Sequence, residues 1–398
     1  MKARRPFLAM GSSGPVRVAV VGAGFSGLMF ALSLLKEGLS VDVYEEHGRV
    51  GFPEHCTGLV SGYTAGLIGR PAERARLAEF DAVVISGPAH SVEVRPRGGV
   101  VKLDRVRLEE AMLDEVEREG GRVRLGVRAK VNSEGVVLPG GARYDIVVLA
   151  EGHFGSLAGR LGLRRRGRVF WGVNEELDYK ASGPFVARFD GVTSGGFFSW
   201  FVPLGDRVLV GTASRDPRAV ASYLGEARRA FGVDGSPRVK VYGGPVLAGP
   251  PVDSPRVGRV VVVGDAAFLN KPLTGGGLYP NAEAATRAAA LIRAGEDPLR
   301  ALERSVREVG RSLSRAYHLA RLVHGRPRLV DALAQAASAS GLAARLSGLV
   351  DYDRHERLLG AAARAGLPAL GAAARLLSRD PLGAALLLAA SLRGAVGL

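Results

Sequence analysis

The sequence predicts an α/β fold: a parallel sheet with flanking helices, interrupted by a mainly antiparallel β region and followed by a helical C-terminal region. Three observations carry this reading. An apolar run, VRVAVVGAG (16–24), ends in glycines and leads into helical apolar spacing. A second run of the same kind, RVVVVGDAA (259–267), appears far along the chain. Between them residues 168–248 have strand-like patterning, and beyond residue 298 alanine, leucine and arginine dominate at helical spacing.

Composition limits the classes available. With 398 residues, 47% hydrophobic and 23% charged, the chain is globular and long enough for two or three structural regions. One cysteine, Cys56, excludes an internal disulfide framework and suits a reducing cytoplasm. A net charge of +15 attracts nucleic acid, anionic lipid or acidic partners. The basic residues are mostly arginine and run along the whole chain, with no aromatic–basic stripe, zinc spacing or helix-turn-helix signature. Nucleic acid and metal are therefore not expected. An arginine-rich proteome, an anionic membrane surface and an acidic electron donor remain as explanations of the charge.

The elements follow in order. Residues 1–15, MKARRPFLAMGSSGP, read as a basic, flexible extension with too short an apolar part for a secretory segment, and Met10 is an alternative start. After the strand at 16–24, FSGLMFALSLLKEG (25–38) is a helix stopped by Gly38, and LSVDVYEE (39–46) is the second strand. Residues 47–62 form a Gly/Pro-punctuated loop, long enough to suggest a function. Short strands fill Asp81 to Leu103, a helix spans 104–121, and β-rich segments lead to the apolar strand DIVVLAEG (145–152). Further strands are expected at 168–174, 196–203 and 207–213, with helices near 216–231 and 278–294. There is no internal repeat. The implied division is an extension (1–15), a first dinucleotide-binding segment (16–165), a β-rich substrate region (166–255), a return segment (256–298) and a helical region (299–398).

Gly22-Ala23-Gly24-Phe25-Ser26-Gly27 is a GxGxxG between a strand and a helix. The first glycine permits the tight turn, the second lets backbone approach a pyrophosphate, and the third lets the helix pack on the strand. The helix N-terminus, where Ser26 sits, stabilises phosphate. Glu45, with Glu46 beside it, closes the second strand at the distance of about 20 residues expected for an acid that binds ribose hydroxyls. Strand, turn, helix, strand and acid together make a Rossmann-type dinucleotide unit.

The segment RVVVVGDAAFLNKPLTGGGLYPNAEAA (259–285) resembles the GDAA region of the FAD-dependent oxidoreductase superfamily that includes para-hydroxybenzoate hydroxylase. That resemblance implies FAD, with Gly264 and Asp265 at the ribityl chain and Pro272, Gly275, Gly276, Gly277 and Leu278 against the isoalloxazine ring. Three glycines before a helix leave its N–H groups open to a ring carbonyl, and the helix dipole there stabilises negative charge on a reduced flavin. LAEGHFGSLAGRLG (149–162) is similar to the superfamily's A-D-G-x-x-S-x-x-R segment, with Glu151 in place of aspartate before Gly152. DRVRLEEAML (104–113) is similar to its R-x-x-F/L-D/E helix start, which places Arg105 near the cofactor.

Two further segments narrow the family. Pro53-Glu54-His55-Cys56-Thr57-Gly58 resembles the P-x-x-C-x-G of the geranylgeranyl reductases, especially the archaeal enzymes that saturate the isoprenoid chains of ether lipids. Phe198-Ser199-Trp200-Phe201-Val202-Pro203 resembles that family's Y-x-W-x-F-P substrate-cavity motif, with Phe198 for the tyrosine and Val202 for the phenylalanine. The resemblance covers about residues 16–300. It implies Phe198, Trp200, Val202 and Pro203 at an isoprenoid substrate, and Cys56 and Gly58 beside the flavin. Saturating an isolated C=C needs a hydride and a proton. Reduced flavin supplies the first, and Cys56 or a relay through it is the expected source of the second. Cys56 also fits the role of a small buried hydrophobe, and His55 either tunes the thiol, serves as the acid or is incidental.

No second GxGxxG is present, so the electron donor is expected to be transient: NADPH, ferredoxin or a similar carrier. The C-terminal stretch, for instance GLPALGAAARLLSRDPLGAALLLAASLRGAVGL (366–398), reads either as a helical cap or as an interfacial surface with snorkelling arginines. Its longest apolar run, Leu382 to Leu392, falls short of the ~18 residues of a membrane span. The expected location is the cytoplasm, with peripheral contact at the inner face of the cell membrane. Competing readings are a flavin monooxygenase on the same scaffold, an electron-transfer flavoprotein serving quinone, and a regulatory flavin binder.

Overall fold

The computed structural model describes residues 14–357, 361, 364–380 and 382–387; most of the N-terminal extension and the end of the Leu382–Leu392 run lie outside the described residues. The chain opens with β1 (Arg17–Val21), α1 (Phe25–Leu35) and β2 (Ser40–Tyr44). β3 (Leu59–Ser61), α2 (Gly62–Ile68), α3 (Arg70–Arg74), β4 (Arg76–Phe80), β5 (Val83–Ser86), β6 (Ser91–Val94) and β7 (Val100–Leu103) follow. α4 (Arg105–Arg118) leads to β8 (Arg122–Arg124), a meander β9 (Lys130–Val131), β10 (Val136–Leu138) and β11 (Ala142–Arg143), then β12 (Ile146–Leu149) and α5 (Ser156–Arg160). The long strands come next: β13 (Arg168–Ala181), β14 (Phe185–Arg188), β15 (Gly196–Pro203), β16 (Gly205–Ser214), α6 (Val220–Ala230) and β17 (Arg238–Ala248). β18 (Arg256–Val257), β19 (Val260–Val262), α7 (Leu278–Arg293), α8 (Pro298–Val323), α9 (Pro327–Ala339), α10 (Leu342–Leu346) and the helix Leu367–Arg379 follow, and residues 382–387 are helical again.

A six-stranded sheet runs β18-β19-β12-β1-β2-β8. All its pairings are parallel except β18–β19 at one edge. β1, β12 and β19 are almost wholly buried valine, isoleucine and leucine, which is what a sheet covered on both faces requires. Each such side chain contributes about 1.5–3 kcal/mol on burial. α1 is buried nearly all round because it packs against the sheet and against α4 and α7. Two glycines make this possible. Gly22 has φ 102, and a Cβ there would strike the Ala150 carbonyl; a Cβ on Gly27 would strike the Gly22 carbonyl.

The second large sheet has the order β17-β13-β16-β15-β14-β5-β6. Here the structure corrects the division drawn from the sequence. β5 and β6 come from the first segment, before residue 100, yet β5 pairs with β14 in parallel and carries the sheet past the 166–255 stretch. Two short, half-buried strands hold no local signal for the sheet they join, because pairing between residues a hundred apart is a tertiary choice.

Two smaller corrections concern loops. The Gly/Pro loop ends earlier than expected, in β3, whose Ser61 caps α2 by accepting from the Thr64 N–H. The C-terminal region is not helical throughout, because residues 347–354 leave the helices and fold back into the molecule before a short 3-10 turn at His355–Arg357. Asp353 (1% exposed) is the reason: its burial against Lys271 outweighs continuing a helix.

Candidate active site

A cavity of about 1080 Å3 lies between the two large sheets. That is at or above the top of the ~300–1000 Å3 range usual for a pocket holding one small ligand. Part of its wall comes from the C-terminal ends of the parallel strands, where an open sheet of this type binds ligands. Gly22, Gly24 and Ser26 follow β1, Glu45 and Glu46 follow β2, Glu151 and Gly152 follow β12, and Gly264 and Asp265 follow β19. Gly275, Gly276, Gly277 and Leu278 add the start of α7.

This part of the wall fits a dinucleotide. A Cβ on Gly24 would meet no protein atom within 4 Å, so the space beside that glycine is open. α1 and α7 begin in the wall without side-chain caps, leaving N–H groups for an anionic ligand. The Thr274 hydroxyl and the Arg105 Nε are buried without a partner. Glu45 accepts from the Ala23 N–H at 2.7 Å and from the His47 N–H at 2.9 Å, which fixes its carboxylate beside the glycine turn.

Some predicted positions in the wall also have protein partners, and others lie off it. The Glu151 carboxylate accepts from the Leu157 and Ala158 N–H groups at 2.8 and 2.6 Å, so it caps α5; its extra methylene relative to aspartate gives that reach. Pro272 is buried off the wall, and Gly27 lies beneath it as a packing residue. Gly58 is also beneath the wall, against the Leu103 carbonyl. Glu46 lines the cavity and pairs with Arg128 at 3.2 Å. Asp265 accepts from the Asn270 side chain at 3.0 Å.

The opposite wall is apolar and aromatic: Phe185, Phe197, Phe198, Trp200, Val246 and Tyr352. Phe197 and Phe198 stack with centroids 4.5 Å apart, and Phe198 meets Trp200 edge-on at 5.6 Å. Trp200 donates its indole N–H to Asn174 at 3.0 Å, so the ring is polar-satisfied and its faces serve the cavity. Val202 and Pro203 do not reach the cavity. Val202 is fully buried in the core behind the wall, and Pro203 is buried in the pairing of β15 with β16. Phe197 was not legible from period-two alternation because the β15–β16 register shifts between Gly196 and Ser199, and this irregularity brings two consecutive phenylalanines to one cavity.

Cys56 and His55 line the same cavity, on the 47–58 loop. The Gly58 N–H donates to the Cys56 Sγ at 3.4 Å. His55 is exposed, with Nδ1 3.0 Å from the Pro53 carbonyl. Two buried cations lie near the thiol. Burial opposes the Arg105 charge, but Glu109 and Cys56 outweigh it and raise its pKa above the ordinary guanidinium value. Lys102 (4% exposed) is pushed down by burial, with Cys56, Glu176 and Asp104 acting the other way.

Sequence reasoning missed the residues that arrive from afar. Lys271 and Asp353 both line the cavity and meet at 2.6 Å, and Asp353 also accepts from the Ser61 N–H and the Thr64 hydroxyl. Burial raises the Asp353 pKa, but Lys271 and these hydrogen bonds bring it below the usual carboxylate value. The signal available was two polar residues in apolar surroundings, Lys271 within AAFLNKPL and Asp353 within LVDYD. No cluster of metal-ligating residues occurs among the described residues.

The comparisons agree with this geometry. Residues 20–56 match the family model for an NAD(P)-binding Rossmann-like domain. The chain is 29% identical to digeranylgeranylglycerophospholipid reductase 1 of Methanopyrus kandleri, over 66% of this chain and 76% of that one. It is 27% identical to the digeranylgeranylglycerophospholipid reductase of Methanocella arvoryzae, over 77% of this chain and 86% of the other. Among solved structures, a geranylgeranyl bacteriochlorophyll reductase-like protein from Thermoplasma acidophilum superposes with a TM-score of 0.75 at 16% identity, covering 95% of this chain and all of that one. A flavin-dependent brominase superposes at 0.67 and 15% identity, covering 91% of this chain and 98% of its own. The fold is that of the flavin-dependent oxidoreductases, and the likeness to the two reductases extends over 66% and 77% of the chain.

Proposed function

We propose that this chain is an FAD-dependent reductase that saturates C=C bonds in the geranylgeranyl chains of membrane lipids or their precursors. One observation carries the reading. A single cavity joins a dinucleotide cradle to an aromatic wall suited to a prenyl chain, and Cys56 lies on that same cavity. The names of the relatives point to the same substrate class.

When bound, reduced FAD supplies the hydride. The chain's own residues do the rest. The glycine turn after β1 and Glu45 hold the dinucleotide, and Asp265 with the start of α7 holds its flavin end. Phe197, Phe198 and Trp200 align the prenyl chain and exclude water, which an unactivated double bond requires of its site. Cys56 gives its Sγ proton to the carbon that does not receive hydride. The Arg105 guanidinium and the Gly58 N–H stabilise the thiolate left behind. The electron donor is a transient partner, nicotinamide or a small redox carrier.

No helix among the described residues is long and apolar enough to cross a membrane. Peripheral contact is supported by the helix Leu367–Arg379, where Leu367 (82%), Leu370 (68%) and Leu377 (55%) are exposed on a helix that also carries Arg375 and Arg379.

The test is anaerobic: dithionite-reduced protein is mixed with digeranylgeranylglyceryl phospholipid, and flavin absorbance and lipid mass are followed. Flavin reoxidation with a gain of two hydrogens per bond supports the reading. A flavin that stays reduced with this lipid, yet reoxidises with quinone or with oxygen and an aromatic substrate, overturns it.

A further inference from the structure

Lys271 brings a positive charge to the glycine loop before α7. Its backbone closes that loop: its N–H donates to the Gly276 carbonyl at 2.9 Å, and its carbonyl accepts from the Gly275 N–H at 2.8 Å. Its side chain turns back along the same loop. A Cβ on Gly276 would meet the Lys271 Cε at 2.7 Å, its Nζ at 3.2 Å and the Thr274 Oγ1 at 3.8 Å. Lys271, Thr274 and Gly276 all line the cavity. Two side-chain donors therefore converge on a point of its wall that carries no side chain of its own.

Both donors have bonds left to give. The Lys271 side chain is 4% exposed, and its ammonium carries three N–H groups. Among the described residues it has one hydrogen-bond acceptor, the Asp353 Oδ1 at 2.6 Å. The Thr274 hydroxyl is buried with no partner. Asp353 is better supplied, because its Oδ2 accepts from the Ser61 N–H at 2.7 Å and the Thr64 hydroxyl at 2.6 Å. Its negative charge is shared among three donors, so the pair leaves positive potential at the loop. His355 senses that excess: burial lowers its pKa to about 3, and Lys271 lowers it further and outweighs the opposing effect of Asp353.

A buried cation and hydroxyl placed in this way call for an acceptor that carries negative charge. Flavin reduction creates one. Two electrons and one proton taken up by the neutral ring leave it with one negative charge, and a fixed cation stabilises that form over the neutral one.

We propose that Lys271 and Thr274 bind the reduced flavin at the Gly276 part of the wall. Lys271 sets its reduction potential, and Asp353 is the positioning residue that holds the ammonium there. This rests on the FAD reading and adds the charge that the chain supplies to the cofactor. The bound flavin is thereby easier for a transient donor to reduce.

The test uses the full-length, FAD-loaded protein and two variants. Thr274→Val removes only the hydroxyl. Lys271→Met/Asp353→Leu removes both charges and leaves neither unpaired. The midpoint potential is measured by equilibrium reduction against reference dyes, and the affinity of each apoprotein for oxidised FAD by fluorescence titration. Together they give the affinity for reduced FAD. The double variant is expected to lose at least about tenfold in the ratio of reduced to oxidised affinity, which lowers the midpoint of a two-electron couple by about 30 mV. Thr274→Val is expected to lower the midpoint by less. Its apoprotein should melt no earlier than the wild type, because the hydroxyl has no partner in the fold. A purely structural role would move the melting temperature and leave the midpoint in place. An unchanged midpoint in either variant, with FAD bound, overturns the donor pair alone. If the double variant does not fold, Thr274→Val decides. A wild-type apoprotein that takes up no FAD overturns the cofactor reading and this proposal with it. Lowered midpoints in variants of a protein that leaves the lipid unreduced keep this site and overturn the reductase reading.

Discussion

Lys271 and Asp353 form an ion pair at 2.6 Å in the interior of the protein, with side chains 4% and 1% exposed. The pair closes the cavity wall by tying the glycine loop before α7 to a segment that returns from beyond α10. Breaking a buried pair leaves one charge without a partner, which costs more than the pair contributes. Asp353→Ala is expected to destabilise the protein by about 3–5 kcal/mol, read from urea unfolding. The double variant Lys271→Met/Asp353→Leu is expected to be clearly less damaged than the sum of the single changes. Additive losses would show that the two charges act separately.

Stability is expected to fall as pH drops below about 6.5, where an unfolded histidine takes up its proton. Burial lowers the pKa of His324 to about 4 and that of His355 to about 3, so the unfolded chain binds more protons than the folded one between those values and 6.5. Both groups therefore support the fold fully above the unfolded value and progressively less as pH falls toward the folded one. The urea midpoint should be lower at pH 5 than at pH 7, and His355→Gln should shrink the difference. A midpoint that does not move across this range would show that neither imidazole is held neutral.

Cys56→Ser is expected to lower turnover about a hundredfold or more while leaving bound flavin unchanged, because the loss is of a positioned proton donor. Flavin content is measured by absorbance ratio and turnover by lipid mass. Full turnover in the variant would exclude the thiol as the acid.

Gly24→Val separates folding from cofactor binding. The space beside Gly24 is free of protein atoms, so the variant should fold with a melting temperature close to that of the cofactor-free wild type. Its branched side chain should block approach of a pyrophosphate, giving colourless protein. Stoichiometric flavin in this variant would place the dinucleotide elsewhere.

Membrane contact through the helix Leu367–Arg379 is tested by sedimentation with anionic vesicles. Leu367→Gln/Leu370→Gln should lower the bound fraction several-fold, since each buried leucine side chain contributes about 1.5–3 kcal/mol. Equal binding of wild type and variant would assign the exposed leucines to some other contact.

The parts of the fold that were legible in the sequence are those fixed by local rules. β1, α1 and β2 announce themselves by a buried apolar run, a glycine turn and an acid at the right distance, and the helix expected over 104–121 is α4, where the structure adds Asp104 as a cap accepting from the Arg107 N–H at 3.0 Å. β19 and α7 repeat that logic. What stayed hidden was decided by distant partners. β5 shows nothing of its parallel pairing with β14. The motif resemblance put Val202 at the substrate with Phe198 and Trp200, but a cavity ends where the core behind it begins, and no local pattern marks that limit. Phe197 enters the wall through a register shift that alternation cannot express.

Tyr352 and Asp353 also set an order of events during synthesis. They belong to the cavity wall but leave the ribosome more than three hundred residues after the glycine turn at Gly22. Until they emerge, that part of the cavity wall is missing. Asp353, seated on Lys271, is what fastens the late segment to the earlier loop.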